Sequence, residues 1–449
     1  MKPHWTAPLL VTVLSLTGFG FAATEFLDGT RLATSTHAPA PPPYRPHEVI
    51  VKLETATAAS TGMQSIHDVG GLSARLSRDG AHMLVTLAGG VSVAEAVDRL
   101  NHLPGIGYAE PNGIVRAHGT AAALDSRFSP NDRLFFRQWN FKMLDAERAW
   151  AIQKGDTSVI VGVLDTGIAY EDFGAFRKAP DWGSTVFVPG FNVLNGSSHA
   201  NDDNFHGTHV ASTIAESTNN GEGVAGLAFN CALMPVKVLN SEGEGSLFDL
   251  ADGIRYAVHD APQKAKVLNM SLGGAGDSRI LSTALEDAFS AGVVLVASAG
   301  NESASRVSFP AAHPRVIAVG AVDVRKRRAP YSNTGSELDV VAPGGDLDRD
   351  DDNDGRPDGV LQQTFDPDVA ARGRYDSFAY FYVDGTSQAS PHVAAVAALL
   401  VRQGITSPAA VQAAIQNTAE DLGAAGRDDQ FGYGLVRPVE ALTGLGLNQ

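Results

Sequence analysis

The stretch Tyr380–Leu400, YFYVDGTSQASPHVAAVAALL, decides how the rest of this chain is read. An aromatic, strand-like run (Phe378–Val383) meets the small turn Asp384-Gly385-Thr386. Ser387 follows, and then an Ala/Val/Leu-rich segment with helical spacing. Pro391 is expected in the first turn of that helix, where a missing N–H costs little. Ser387 then sits where a helix begins. There the first backbone N–H groups lack partners within the helix and the dipole is positive. A hydroxyl at such a point can attack a carbonyl while its own N–H holds the oxyanion that forms. A serine is equally a common helix cap, and on this stretch alone the cap is the simpler reading.

Working outward, the sequence on either side carries an alternation of strands and helices. Ser158–Leu164, Ala232–Leu239, Ala265–Met270, Gly292–Ser298 and Val316–Val322 are almost continuously apolar. Strands covered on both faces have that composition. Between them lie helical patterns at Gly207–Ser217, Leu247–His259 and Arg279–Ala291. The expectation is an α/β fold with a doubly wound parallel sheet, in which ligands bind beyond the carboxyl ends of the strands.

Upstream the texture differs. Residues 1–23 carry Lys2, an apolar region from Ala7 to Ala23 and small residues at Gly20, Ala22 and Ala23, the pattern of a secretory signal peptide. Residues 24–43 include Pro41-Pro42-Pro43 and read as an extended linker. Residues 44–116 read as a small α+β unit, with strands at Glu48–Leu53, His82–Leu87 and Ile106–Glu110 and a helix at Ser92–Leu103. Residues 117–127, small and polar, read as a second linker, and 128–449 as the main domain.

Composition narrows the function classes. The chain has 449 residues with 44% apolar content, enough for a large core. Its 50 acidic and 34 basic residues leave a net charge of −16, which disfavours nucleic acid as a partner. The basic run Arg325-Lys326-Arg327-Arg328 reads as a solvated loop. Cys231 is the single cysteine, so no internal disulfide forms, and its apolar setting suggests a buried, unreactive thiol. No segment after the signal is long and apolar enough to span a membrane. The expectation is a secreted, extracellular monomer without stable membrane association.

Chemistry gathers at element ends. Asp165 closes the strand VIVGVL in LDTGI, His206 opens HGTHVASTIA, and Asn301 follows VVLVASAG. A nucleophilic serine needs a base within reach, and that imidazole needs a carboxylate to fix its tautomer. Asp165, His206 and Ser387 supply one of each, and Asn301 supplies an amide donor for an oxyanion. These stretches, with SLGG at Ser271–Gly274 and GTSQASPHVA around Ser387, resemble the subtilisin-like serine proteases of peptidase family S8, in motif and in order.

The resemblance implies a serine endopeptidase with Asp165, His206 and Ser387 as triad and Asn301 in the oxyanion hole. It also implies protein or peptide substrates bound along two edge segments. One is Ser271, Leu272, Gly273 and Gly274, and the other contains Gly243 and Gly245. Extended peptides dock on such edges by adding a strand. Residues 44–116 resemble the family's inhibitory (I9-like) pro-domain, which implies a zymogen whose own pro-domain is a partner in cis. The mature chain is then expected to begin near Phe128. The turn after His206 resembles the family's calcium loop, with Asn220, Glu222 and Val224 as ligands to structural Ca2+ and Asp172 as a further candidate. The reading of that turn from its residues alone is an ordinary Asn-Gly turn.

Other readings were weighed on the same residues. His206 and His209 form an HxxH pair, but the third ligand and glutamate of a zinc protease do not follow. Gly221–Gly226 matches GxGxxG, yet it follows a helix and precedes a strand, the reverse of a dinucleotide site. Asp350, Asp352, Asp354 and Asp358 alternate around Gly355 and suit a calcium loop. Leu361 at the twelfth position rules out an EF-hand. A recognition protein with lost activity is disfavoured because all four chemical groups are present. An esterase would ordinarily carry GxSxG with the serine first. Gln388, where the family usually has Met, and Ser212, where it usually has Gly, are departures that remove no catalytic group. An acidic Glu302 near a pocket floor at Ser308 leaves the preferred substrate side chain open.

Overall fold

The computed structural model describes residues 44–54, 59–77, 81–113, 126–274 and 276–444. The expected signal peptide, the linker 24–43 and most of the linker 117–127 lie outside them. The chain forms two compact units, residues 1–120 and 121–449.

In the first unit, β1 (Tyr44–Leu53), α1 (Ala59–Asp68), β2 (Gly71–Leu76), β3 (His82–Leu87), α2 (Val93–Leu100) and β4 (Ile106–Gly113) follow in order. The strands form one antiparallel sheet in the order β2-β3-β1-β4. Strand β1 alternates as its sequence does, burying Val49, Val51 and Leu53, and these meet Val85, Leu87, Ala96 and Leu100 in a separate core. Ser92 caps α2, its hydroxyl accepting from Glu95 N. Helix α1 and strand β2 were not read from the sequence, because their Gly, Ser and Thr content hides the apolar spacing.

The second unit opens with α3 (Trp139–Met143) and α4 (Ala146–Ile152). It continues with β5 (Ile160–Asp165), β6 (Phe191–Asn192), α5 (His206–Ala215), β7 (Ala232–Lys237), α6 (Leu247–Arg255), β8 (Val267–Met270), α7 (Arg279–Ser290), β9 (Val294–Ser298), β10 (Val316–Val322) and β11 (Val340–Pro343). Seven strands pair in the order β11-β10-β9-β8-β5-β7-β6, all parallel. Every residue of β5, β7, β8, β9 and β10 is buried, the outcome that the uninterrupted apolar runs predict. From β5 the chain proceeds to β7 on one side and later to β8 on the other, so the winding reverses around β5. Helix α6 begins in a capping box of Ser246 and Asp249 and, contrary to the single helix expected to His259, passes into a π turn at Tyr256–Asp260.

Strand β12 (Val360–Phe365), α8 (Pro367–Ala370), β13 (Phe378–Val383), α9 (Thr386–Arg402), α10 (Pro408–Asn417) and α11 (Pro438–Thr443) complete the chain. The aromatic run Phe378–Val383 is a strand, but it pairs antiparallel with β12 in a hairpin of its own. Its partner escaped notice because Gln362, Gln363 and Thr364 read as polar, although all are buried. Helix α9 runs through the core and is buried from Thr386 to Leu400 except at Ser387. The basic run is not simply solvated: Arg325 and Arg327 pair with Asp351, Arg327 also with Asp323, and Lys326 with Glu420.

Leu164, fully buried one residue before Asp165, tests this core. Leu164→Ala should cost about 2–5 kcal/mol by loss of transfer energy and the cavity left behind, measured as the shift in denaturant midpoint. A change within a few tenths would mean the site collapses without cost.

Candidate active site

Asp165 ends β5 fully buried, and His206 opens α5 with its side chain 22% exposed. His206 Nδ1 lies 2.8 Å from Asp165 Oδ1, which also accepts Thr166 N at 2.7 Å. The approach is possible because residue 207 is glycine: a Cβ there would meet the Gly167 carbonyl oxygen at 2.1 Å. Burial alone would lower the His206 pKa. The negative charge and hydrogen bond of Asp165, with the charge of Asp202, outweigh it and hold the imidazole above its ordinary 6.5.

Ser387 lies in the first turn of α9, as read from the sequence, but Pro391 is in the second turn, not the first. A proline there removes the N–H that would bond the Ser387 carbonyl. The Ser271 hydroxyl takes over, donating to Ser387 O at 2.8 Å, while Ser387 Oγ donates to Ser271 O at 3.1 Å. Asn269 and Ser390 extend this chain of polar contacts between β8 and α9. Among the described residues no hydrogen bond joins Ser387 to His206; such contacts commonly tighten only when substrate is bound.

Asn301 stands just beyond β9. Its Oδ1 accepts from both Thr386 N (2.9 Å) and Thr386 Oγ1 (2.8 Å), which leaves Nδ2 as the outward donor. A Cβ on Gly385, which has φ 147°, would meet Gln388 Oε1 at 2.8 Å and stand 3.4 Å from that Nδ2 and 3.6 Å from Ser387 N, so glycine here makes room for the Gln388 carboxamide beside the two donors.

Gly243, Gly245, Ser271, Leu272, Gly273 and Gly274 all line one cleft of about 740 Å3 together with His206. Leu239, Leu247 and Leu250 give it an apolar floor. A second hollow of about 390 Å3 on the far side of Gly274 contains Glu302, Ser308 and Asn333. Glu302 is exposed, and its carboxylate accepts from Asn333 Nδ2 at 2.7 Å.

The departures find physical reasons. The Ser212 hydroxyl lies against Glu216 Oε2 and, at 3.0 Å, Gln362 Oε1, and accepts from Gln363 N at 3.3 Å, so it serves the hairpin packed against α5. Gln388 is buried with Nε2 unpartnered. His209 lies within reach of the Val360 and Phe381 carbonyls, and burial drives its pKa down to about 3, so it is a neutral packing residue. Burial pushes the Cys231 thiol up to about 12.

For the calcium candidates the structure corrects two points. Asp172 is exposed and accepts Lys178 N, away from the Asn219–Val224 turn. Asp181, missed in the sequence because it lies beyond a long loop, takes that place: it contacts Asn220 Nδ2 (2.7 Å) and Val224 N (3.1 Å). In the acidic loop, oxygens of Asp350, Asp352 and Asp358 lie within 4.8 Å of one another, and Asp354 is not in the group.

A doubly wound sheet that brings an acid and an imidazole to 2.8 Å, with a helix-borne serine on the same unit, has the layout of a serine hydrolase. Comparison with known proteins makes the class specific. Residues 156–434 match the peptidase S8 model, described as the subtilase family, and residues 33–112 match the fervidolysin N-terminal prodomain. The chain belongs to the subtilase family and is a subtilisin-type serine protease with an N-terminal prodomain. A thermophilic serine proteinase of Bacillus sp. strain AK1 is 34% identical over 88% of this chain and 87% of its own. Subtilisin DY of Bacillus licheniformis is 36% identical over 66% of this chain and 94% of its own. A solved protease structure from Pseudoalteromonas arctica superposes with TM-score 0.61 at 34% identity, covering 71% of this chain and 99% of that one.

With His206 as the proposed general base, which must be neutral to accept a proton, kcat/KM should rise with pH through a midpoint above the ordinary imidazole value of 6.5. Asp165→Asn should move that midpoint down. A pH–rate profile checks both, and an unmoved midpoint would show that Asp165 does not set the basicity.

Proposed function

We propose that this chain is a secreted endopeptidase, made as a zymogen, that cleaves peptide bonds through an acyl-enzyme. In this reading Ser387 attacks the carbonyl, His206 takes and returns the proton, and Asp165 holds the imidazole. Asn301 Nδ2 and Ser387 N stabilise the oxyanion, and the edge segments Ser271–Gly274 and Gly243–Gly245 hold the substrate backbone. The observation that carries it is the Asn301 carboxamide. Thr386 occupies its oxygen twice, which leaves its amide group as a donor close to Gly385, where Ser387 N also lies. Donors fixed before the reaction are what a developing oxyanion needs.

The same reading assigns maturation to self-cleavage within residues 117–127. Phe128 supports a start near that point: its N–H donates to Glu147 O, and its ring stacks on Phe229 and meets Trp150 edge-on. Ser387→Ala should lower turnover by roughly 10⁴–10⁶-fold and leave the precursor intact by mass spectrometry. Trimming of the mutant at the same bond in a protease-free preparation would show that another enzyme makes the cut.

Calcium fits the Asn219–Val224 turn by charge. Asp132, Asp181 and Glu216 are buried, each pushed upward in pKa first by burial, and the Asp181 and Glu216 shifts also by neighbouring carboxylates. A divalent ion would supply the counter-charge, held by Asp181 and Asn220 with the Glu222 and Val224 carbonyls. Asp350, Asp352 and Asp358 form the second candidate site. An ion bound only by the folded state stabilises it by mass action, by about 2.7 kcal/mol at a hundred times Kd. Calorimetry should therefore show a higher Tm with calcium than with chelator; equal values at saturating calcium would remove the metal.

A further inference from the structure

Helix α5 carries His206 at its first position, yet the residue before it is an awkward one. Phe205 has φ 120°, a region that a bulky side chain avoids, and it offers no side-chain cap to the helix. Such a conformation persists only where its surroundings over-determine it. Three groups hold Phe205: its N–H donates to Asp202 Oδ1 at 3.2 Å, and its carbonyl accepts from Thr364 Oγ1 at 2.7 Å and from His209 N at 3.2 Å.

Asp202 does more than this. It is fully buried, and its carboxylate faces five donors. Oδ1 accepts Thr166 Oγ1 (2.8 Å), Asn204 N (2.9 Å) and Phe205 N, while Oδ2 accepts Thr208 N (3.0 Å) and Thr208 Oγ1 (2.6 Å). One carboxylate thus ties the end of β5 to both sides of His206. Thr166 is the matching node. Its N–H donates to Asp165, its hydroxyl accepts Gly207 N at 2.9 Å and donates to Asp202, and its carbonyl accepts buried Lys237 Nζ at 2.6 Å.

We propose that Asp202, acting through Thr166, is a positioning residue for the Asp165–His206 pair, fixing the imidazole against the carboxylate and adding a second negative charge behind it. The inference rests on the protease reading and assigns no contact with substrate. The titratable and charged groups around His206 are Asp165 on β5, Asp202 and Asp203 before α5, Lys237 on β7, His209 along α5, Tyr375 beyond Asp203, and the exposed Glu242 and Glu244 that line the same cleft. Asp203 pairs with Lys237 at 2.7 Å, so those two offset each other and the field at His206 comes chiefly from Asp165 and Asp202.

The test uses matured enzyme quantified by active-site titration. Asp202→Asn turns two accepting oxygens into one and places an amide against donors. It should lower kcat by about 10²-fold, the scale of a small misplacement of catalytic groups, with KM little changed. The acid limb of kcat/KM should move to lower pH. Thr166→Val should act in the same direction, whereas Thr166→Ser, which keeps the hydroxyl, should restore the wild-type profile. A role confined to capping α5 would leave the acid limb in place, and that result would overturn the proposal. Should Asp202→Asn fail to fold, the Thr166 pair decides: Val and Ser variants that behave alike would overturn it. Proton NMR titration of His206 in the Ser387→Ala background, with and without Asp202→Asn, reads the same shift without any cleavage. A wild-type protein that cleaves no peptide would refute the protease reading, while this titration would still decide the inference.

Discussion

The start of α9 is the constraint on which the site depends. A long helix enters the core at Thr386, and the N–H groups of its first turn have no partners inside it. Most of the helix is sealed by apolar neighbours, but its first turn cannot be sealed without leaving those donors unsatisfied. Asn301 accepts one of them at Thr386, and the Gly385 carbonyl accepts those of Gln388 and Ala389. Pro391 compounds the problem one turn later by releasing the Ser387 carbonyl, and the Ser271 hydroxyl satisfies it. Ser387, the proposed nucleophile, is thereby fastened on its carbonyl side to the segment that lines the cleft.

The candidate site is divided between two supports. Asp165 and His206 belong to β5 and α5, whereas Ser387, Asn301 and Ser271 belong to α9 and the ends of β9 and β8. The two helices pack against each other and against the same sheet. Their interior residues, among them Val210, Ile214, Val393 and Val396, are wholly buried. A core packed to crystal-like density changes position only by repacking, so the distance between the supports is a property of the core as much as of the loops. The antiparallel hairpin β12–β13 fixes it further, because its second strand leads directly into Gly385 while its first lies against α5.

Much of this was legible in the sequence. Continuous apolar strands predict their own burial, and Asp165, His206, Asn301 and Ser387 each fall at an element end that the pattern of apolar runs marks out. What stayed hidden was polar and buried. The strand through Gln362, Gln363 and Thr364 went unrecognised, since alternation cannot reveal a strand whose inward side chains are amides paired with other polar groups. Asp181 lies within the long connection between β5 and β6, whose irregular backbone gives no register, so no local pattern sets it beside Asn220. The Pro391 misplacement has the same origin: a proline is tolerable in the second turn when a side chain elsewhere serves the released carbonyl, and no local pattern announces that partner.

Those hidden groups are coupled to one another. Ser212 on α5 and Glu216 at its C-terminal end meet Gln362 and Gln363 on β12, and Gln363 Oε1 accepts Asp181 N at 2.8 Å. Tyr380 on β13 adds a contact to Asp181 Oδ2 at 3.3 Å. The network therefore connects the helix that carries His206, the hairpin that leads to Ser387 and the turn at Asn220. Its members are costly to bury singly, and each is tolerated because the others supply hydrogen bonds. Satisfied in this way, buried polar groups favour one arrangement over alternatives that would leave them unpaired. Glycine at position 212 would leave Glu216 and Gln363 N without the hydroxyl they share, which is a physical reason for serine in this chain.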